Sequence, residues 1–425
     1  MTSSTERDAA DVDVATPTHG RFPGWWVVTG CFVVLATSSG LGFYGLAVYL
    51  NAFSNEQGWP LSTISLATTM FFVDGGVMGV VVARWIARWD VRFVIVGGGL
   101  VGGAALAVLG QVDEQWQLFV VYGVFAAGWA AAGLVPATTV VTRWFHTRRS
   151  VALSVASTGL SVGGIVITPF AKQLLDSQGL SAGMPWLGVV FVVGIVPAAW
   201  FLVRPDPEVE GWAPDGARRA VGEVAPAPTG TPFGDAVRTR FFACVTIGYL
   251  LAFGAQVGGI QQLVKLVEDR TDARTAQFAL TAIAATSVVA RLVGGRIVQF
   301  VPMMRFTVAL AALQGVALAL LGVAEVTWVI FAAIVMFGAT IGNVLMLQPL
   351  LIAERFGVRD YPRIFGRSQL FTVIGTAGGP FVIGALYDLA GSYRIPYAVA
   401  ACFSFGGALV LSLGGPATVA DDERV

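Results

Sequence analysis

The sequence predicts an all-α membrane protein, with twelve transmembrane helices in two pseudo-symmetric six-helix bundles and both termini in the cytoplasm. Three observations carry this prediction. Apolar residues make up 56% of the 425 and charged residues only 12%, against about 25% charged in an average soluble chain, too few to cover a water-facing surface. Twelve separate runs are long enough to cross ~30 Å of hydrocarbon, which takes about 20 residues of helix. One polar, proline-rich stretch divides the runs six and six.

In chain order the first six spans cover about 25–50, 61–83, 93–111, 117–141, 150–171 and 185–203, within a bundle at 22–203. The second six cover about 241–264, 274–295, 305–322, 326–352, 366–387 and 394–413, within a bundle at 241–414. Residues 1–21 are polar, lack a secretory signal pattern and read as a disordered cytoplasmic tail, with a second tail at 415–425. Between the bundles, 204–240 holds six prolines among alternating charges, a solvated cytoplasmic linker.

Arginine placement sets the orientation. With the N-terminus inside, cytoplasmic segments hold 20 of the 26 Lys and Arg, including Arg84, Arg88 and Arg92 after span 2 and Arg143, Arg148 and Arg149 before span 5. Only Lys172, Lys265, Arg270, Arg274 and Arg394 fall outside, as the positive-inside rule requires. The halves also repeat: Arg84 and Arg296, Arg143 and Arg355, Asp176 and Asp388, and Gly179 and Gly391 all stand 212 residues apart. Duplicated halves are common in secondary transporters.

Other chemistries find no support. Cys31, Cys244 and Cys402 lie in apolar runs without disulfide or metal-ligand spacing, and His19 and His146 are peripheral. No Walker loop, dinucleotide fingerprint or triad spacing occurs. The expectation is a non-enzymatic, multi-pass monomer in a bacterial plasma membrane, with no cofactor, metal or nucleic-acid partner.

Over its whole folded length the chain resembles the major facilitator superfamily. Three stretches, "GWWVVTGCF" (24–32), "RWFHTRRSVALSVASTGLSVGG" (143–164) and "GGPFVIGALYDLAGSY" (378–393), resemble its monocarboxylate-transporter and oxalate/formate-antiporter branch. Several positions depart from that branch. Ala87 and Asp90 alter the loop after span 2, and Gln299 replaces an acid in the matching second-half loop. Ser287 replaces the acid before the span 8 arginine, Gln262 a histidine, Phe43 a lysine, and Ile374 the lysine that dicarboxylate carriers use. One remaining cation favours a monoanion.

Arg291, inside span 8, is the sharpest candidate. A charge at such depth costs ~2.5–3.5 kcal/mol on insertion scales and usually marks a pathway, and its planar fork matches a carboxylate. It also corresponds to the branch's substrate arginine. A snorkelling or purely structural arginine is the alternative. Asp74, deep in span 2, is the candidate proton carrier, or else a partner to a cytoplasmic arginine or to its own backbone. The resemblance implies a cavity lined by spans 1, 4, 7 and 10, hence Tyr44, Tyr249, Gln256, Gln262, Asn343 and Gln348 as substrate contacts, although helix–helix hydrogen bonding serves such residues equally well. Gly159, Gly163, Gly164, Gly378 and Gly379, with Pro169 and Pro380, suit helices that pack closely and bend. The expected function is proton-linked transport of a small organic anion by alternating access. The alternative is export of lipophilic or aromatic compounds, with Phe43, Phe72, Trp129, Phe253 and Trp328 as aromatic walls.

Overall fold

The computed structural model describes residues 22–59, 61–204, 206–216, 229–271 and 273–417. The predicted N-terminal tail 1–21, residues 418–425 of the C-terminal tail, and 205 and 217–228 of the linker lie outside the described residues. Span 1 consists of α1 (Gly24–Ser38), a π-helical turn (Ser39–Phe43) and α2 (Gly45–Glu56). Spans 2 and 3 are α3 (Leu61–Ile86) and α4 (Val91–Leu109). Span 4 is split into α5 (Gln115–Ala131) and α6 (Leu134–Trp144). Span 5 starts with α7 (Arg149–Val162), passes a second π turn (Gly163–Ile167) and runs into α8 (Thr168–Pro197), which also forms span 6. After the short α9 (Phe233–Ala236), the second half uses one helix per span: α10 (Arg240–Arg270), α11 (Ala273–Ile297), α12 (Met303–Val323), α13 (Thr327–Phe356), α14 (Tyr361–Ala390) and α15 (Arg394–Ser412).

Ten helical segments among the described residues are long and apolar enough to cross a membrane. The longest, Arg149–Leu202, has 54 residues, ~80 Å at 1.5 Å per residue, far more than one crossing needs. It turns at Gly179, whose φ of 73° lies in the left-handed region open to glycine, and so crosses twice. The twelfth crossing is α11, where Arg291 and a run of Ala, Ser and Thr dilute the apolar signal.

Both bundles close by the same device. Gly159 of α7 and Gly163, which opens the π turn after it, lie directly on the backbone carbonyls of Phe32 and Ala36 in span 1. Gly375 and Gly379 of α14 lie on those of Leu250 and Gly254 in α10. Without a side chain the backbones meet, which is how helices gain contact where lipid is as apolar as the core. Gly378 departs from the expectation: a Cβ there meets nothing within 4 Å, because it points off the packed face. Pro169 removes the N–H that the Ile165 carbonyl would accept in a regular helix, directly after the π turn. Pro380 interrupts α14 in the same way.

The contacts between halves run from mid-membrane to the cytoplasmic ends. Gly76 of α3 meets Val373 of α14, and Gly366 packs on Gly79 and Ala83. Gly295 of α11 packs on Ser154 of α7. At the cytoplasmic end the buried Arg149 approaches Glu354 at 3.9 Å. The described parts of the linker are docked rather than freely solvated. Asp206 pairs with Arg143 at 2.9 Å, and Asp215 accepts the backbone N–H groups of His146, Thr147 and Arg148. Farther on, Thr231 donates to the Phe356 carbonyl at 2.9 Å. Asp90, the departure noted after span 2, caps α4 and pairs with Arg92 at 2.8 Å.

Gly163→Ala and Gly375→Ala each drive a methyl into a backbone oxygen that cannot yield. Each is expected to cost ~1–3 kcal/mol and to lower the melting temperature of the purified protein in detergent. Gly378→Ala leaves that temperature unchanged.

Candidate functional site

Span 8 delivers Arg291 to the junction of three helices. It lies six residues before Ile297, the cytoplasmic end of α11, ~9 Å along the axis, and is only 1% exposed. Its Nε–H donates to the Gly342 carbonyl of α13 at 3.1 Å, and Nη1 donates to the Ser157 carbonyl of α7. The Ser154 hydroxyl donates back to the Arg291 carbonyl at 2.5 Å. Among the described residues no carboxylate forms an ion pair with it. The sequence predicts a guanidinium held in the dry middle of the molecule and facing a ligand from water rather than lipid headgroups. Here it is enclosed, and its partners are backbone carbonyls from both halves.

Helix α13 admits the guanidinium because position 342 is glycine: a Cβ there would press on the Ser287 carbonyl and on Cβ of Arg291. Around it lie buried acceptors without a protein partner, the Ser287 hydroxyl and the Asn343 side-chain oxygen. The Asn343 amide donates to Ala290 and Ala339 at 2.9 and 3.0 Å, which aims the free oxygen at Gly294. Unsatisfied buried groups call for a ligand, a water or a second conformation.

The two π turns pack on each other, Gly40 against Gly163 and Ile167, and this seats the Tyr44 ring over Gly164, where the residue stays 39% exposed. Such π turns concentrate at functional sites. Phe43 leads from Tyr44 to Phe72 and Trp129, with ring centroids 5.0, 5.6 and 6.3 Å apart. Together they form an aromatic wall on the first half.

The other predicted contacts lie elsewhere. Gln348 donates to Ser368 and Thr372 of α14 at 3.1 and 3.0 Å, a tie within the second half. Gln262 accepts from Tyr393 at 3.3 Å at the extracellular end of that half. Tyr249 is fully buried beside Phe253, with its hydroxyl near Thr307 of α12. Gln256 is buried with its side-chain oxygen unpaired. Trp328 is exposed at the outer start of α13, on the lipid side, not in a wall. Asp74 is half-buried against Gly123 of α5. Gly76, which meets the second half, is two residues on and ~200° around α3, so Asp74 does not share the Arg291 cluster. The sequence reading missed the Ser157 and Gly342 carbonyls and the Ser154 hydroxyl. The signal available for α7 was its polar stripe, Ser150, Ser154, Ser157 and Ser161, at helical spacing.

Residues 32–358 match the Major Facilitator Superfamily. The chain is 24% identical over 383 residues to the MFS transporter asaE of Aspergillus flavus, covering 88% of this chain and 82% of that one. It is 25% identical to monocarboxylate transporter 11 of Homo sapiens, covering 96% and 85%. The human organic anion transporter MFSD10 superposes with a TM-score of 0.70 at 16% identity, covering 92% of this chain and 100% of that one, a likeness of fold.

Ser154 and Gly295 face one another across the seam. In a background lacking Cys31, Cys244 and Cys402, the Ser154→Cys/Gly295→Cys double variant is expected to form a disulfide on mild oxidation. A gel shift after proteolysis of the linker reads the bond, and failure to cross-link counts against this seam.

Proposed function

Because the chain belongs to the Major Facilitator Superfamily, we propose that it is a secondary transporter that carries a small monocarboxylate with a proton across a bacterial plasma membrane by alternating access. The observation that carries the reading is the buried Arg291 guanidinium, bonded to carbonyls of α7 and α13. Among the described residues, two of its five N–H donors are engaged with backbone acceptors, one of them on the opposite half. A carboxylate offers a charge-assisted, bidentate replacement, and exchange of the Ser157 carbonyl for substrate would release α7 as the halves rock. The human relative bears the name of a monocarboxylate transporter, and the organic-anion carrier shares the fold, which supports an anionic cargo. Asp74 remains the proposed proton carrier, coupled through the α3–α5 contact rather than through a shared pocket.

A second reading, export of lipophilic or aromatic compounds, draws on the wall of Phe43, Phe72 and Trp129. Drug sensitivity of a deletion strain that grows normally on organic acids would favour it.

In proteoliposomes with an acid-outside gradient, labelled lactate, pyruvate or acetate should accumulate, and Arg291→Lys should reduce uptake about tenfold or more, as expected for losing one charged hydrogen-bonded fork. Full activity in Arg291→Ala overturns the assignment. Asp74→Asn should abolish gradient-driven accumulation while preserving counterflow; unchanged accumulation removes Asp74 from coupling.

A further inference from the structure

A cleft of about 1330 Å³ opens at the cytoplasmic side, apart from Arg291. Its walls come from both halves: the turn entering α7 on one side, and on the other the turn between α11 and α12, the first turns of α12, the end of α13, and Ser412 with residues 415–417 at the end of α15. Three features define what fits it. The first is charge. Arg148, Arg149, Arg305 and His146 line it against a single carboxylate, Glu354. Glu354 stands 3.9 Å from the buried Arg149, a loose pairing that leaves guanidinium donors for another anion.

The second is depth. From Arg305 to Ala312 the lining follows seven residues of α12, ~10 Å of helix, and the inner part is apolar, made by Val308, Ala309, Ala312 and Leu350. The third is direction. Arg305, Ala309, Val316 and Val323 form one exposed stripe along α12 at helical spacing, and in a spanning helix such a stripe meets lipid. The cleft therefore opens sideways into the inner leaflet as well as to the cytoplasm. A cationic mouth over an apolar channel at leaflet depth matches an amphiphile with an anionic head.

We propose that the cleft holds one anionic phospholipid of the cytoplasmic leaflet. Its phosphate sits among Arg148, Arg149 and Arg305, and one acyl chain lies along α12 past Val308, Ala309 and Ala312. Because Arg148 and Arg149 belong to the first half and Arg305 to the second, the bound headgroup ties the halves together on the cytoplasmic side and favours the arrangement described here.

The test uses the purified, delipidated full chain in neutral detergent. Phosphatidylglycerol is expected to raise the melting temperature and to remain as a one-to-one adduct in native mass spectrometry, while phosphatidylcholine does neither. Arg148→Ala/Arg305→Ala should weaken phosphatidylglycerol binding about tenfold or more. Ala312→Trp, which fills the channel and leaves every charge in place, should abolish the adduct. Equal effects of phosphatidylcholine, or no effect of either lipid, overturn the proposal. So does an equal shift from inorganic phosphate or glycerol 3-phosphate, which assigns the cleft to a soluble anion. A full response in Ala312→Trp overturns it too, by reducing the effect to surface charge.

Discussion

The bonds from the Arg291 guanidinium to the Ser157 and Gly342 carbonyls hold together the part of the molecule on which the rest depends. A charge inside hydrocarbon persists only with partners, and a guanidinium has too many donors for one helix to satisfy. Drawing acceptors from α7 and α13 adds hydrogen bonds to the apolar contacts that join the first half to the second. Such bonds can be exchanged for those of a ligand of the same chemistry, whereas an interlocked apolar surface has to be pulled apart.

What lets α7 reach Arg291 lies in each half's own packing. Glycines 159 and 163 press α7 onto span 1 backbone to backbone, and glycines 375 and 379 do the same for α14 on α10. Each half is thereby closely packed, and the seam between them mixes apolar contacts such as Gly76 with Val373 and polar ones such as Arg149 with Glu354. The paired π turns add a local wide point where Tyr44 comes over Gly164.

Much of the architecture was legible in the chain. Arg291 stood out because an arginine is rare in an apolar run, and Gly159 and Gly163 because small residues recur at helical spacing. Span membership was a poorer guide to the site. Gln262, Gln348 and Tyr249 lie on spans that line a central cavity in the resembling family, yet they point to Tyr393, to α14 and to α12. In a soluble helix the polar face announces which side meets water. In a membrane the lipid side and the packed side are both apolar, so the period that would orient each helix about its axis is faint. Asp74 shows the same limit: its depth in span 2 is visible in the sequence, whereas its neighbour across the helix contact, Gly123 of α5, is not.

The amino-acid sequence by itself determined the number of crossings, their sidedness, the two-fold repeat and the presence of one deep cation. These follow from hydropathy, arginine counts and spacing, quantities that are local along the chain. Only the tertiary structure decided that the cation bonds the backbone of a helix 134 residues away, that Gln262 and Gln348 among its predicted companions bond elsewhere, and that the described stretches of linker are docked. A backbone carbonyl carries no residue identity, and helix rotation is set by packing between segments distant in sequence. No pattern within a single span could encode either one.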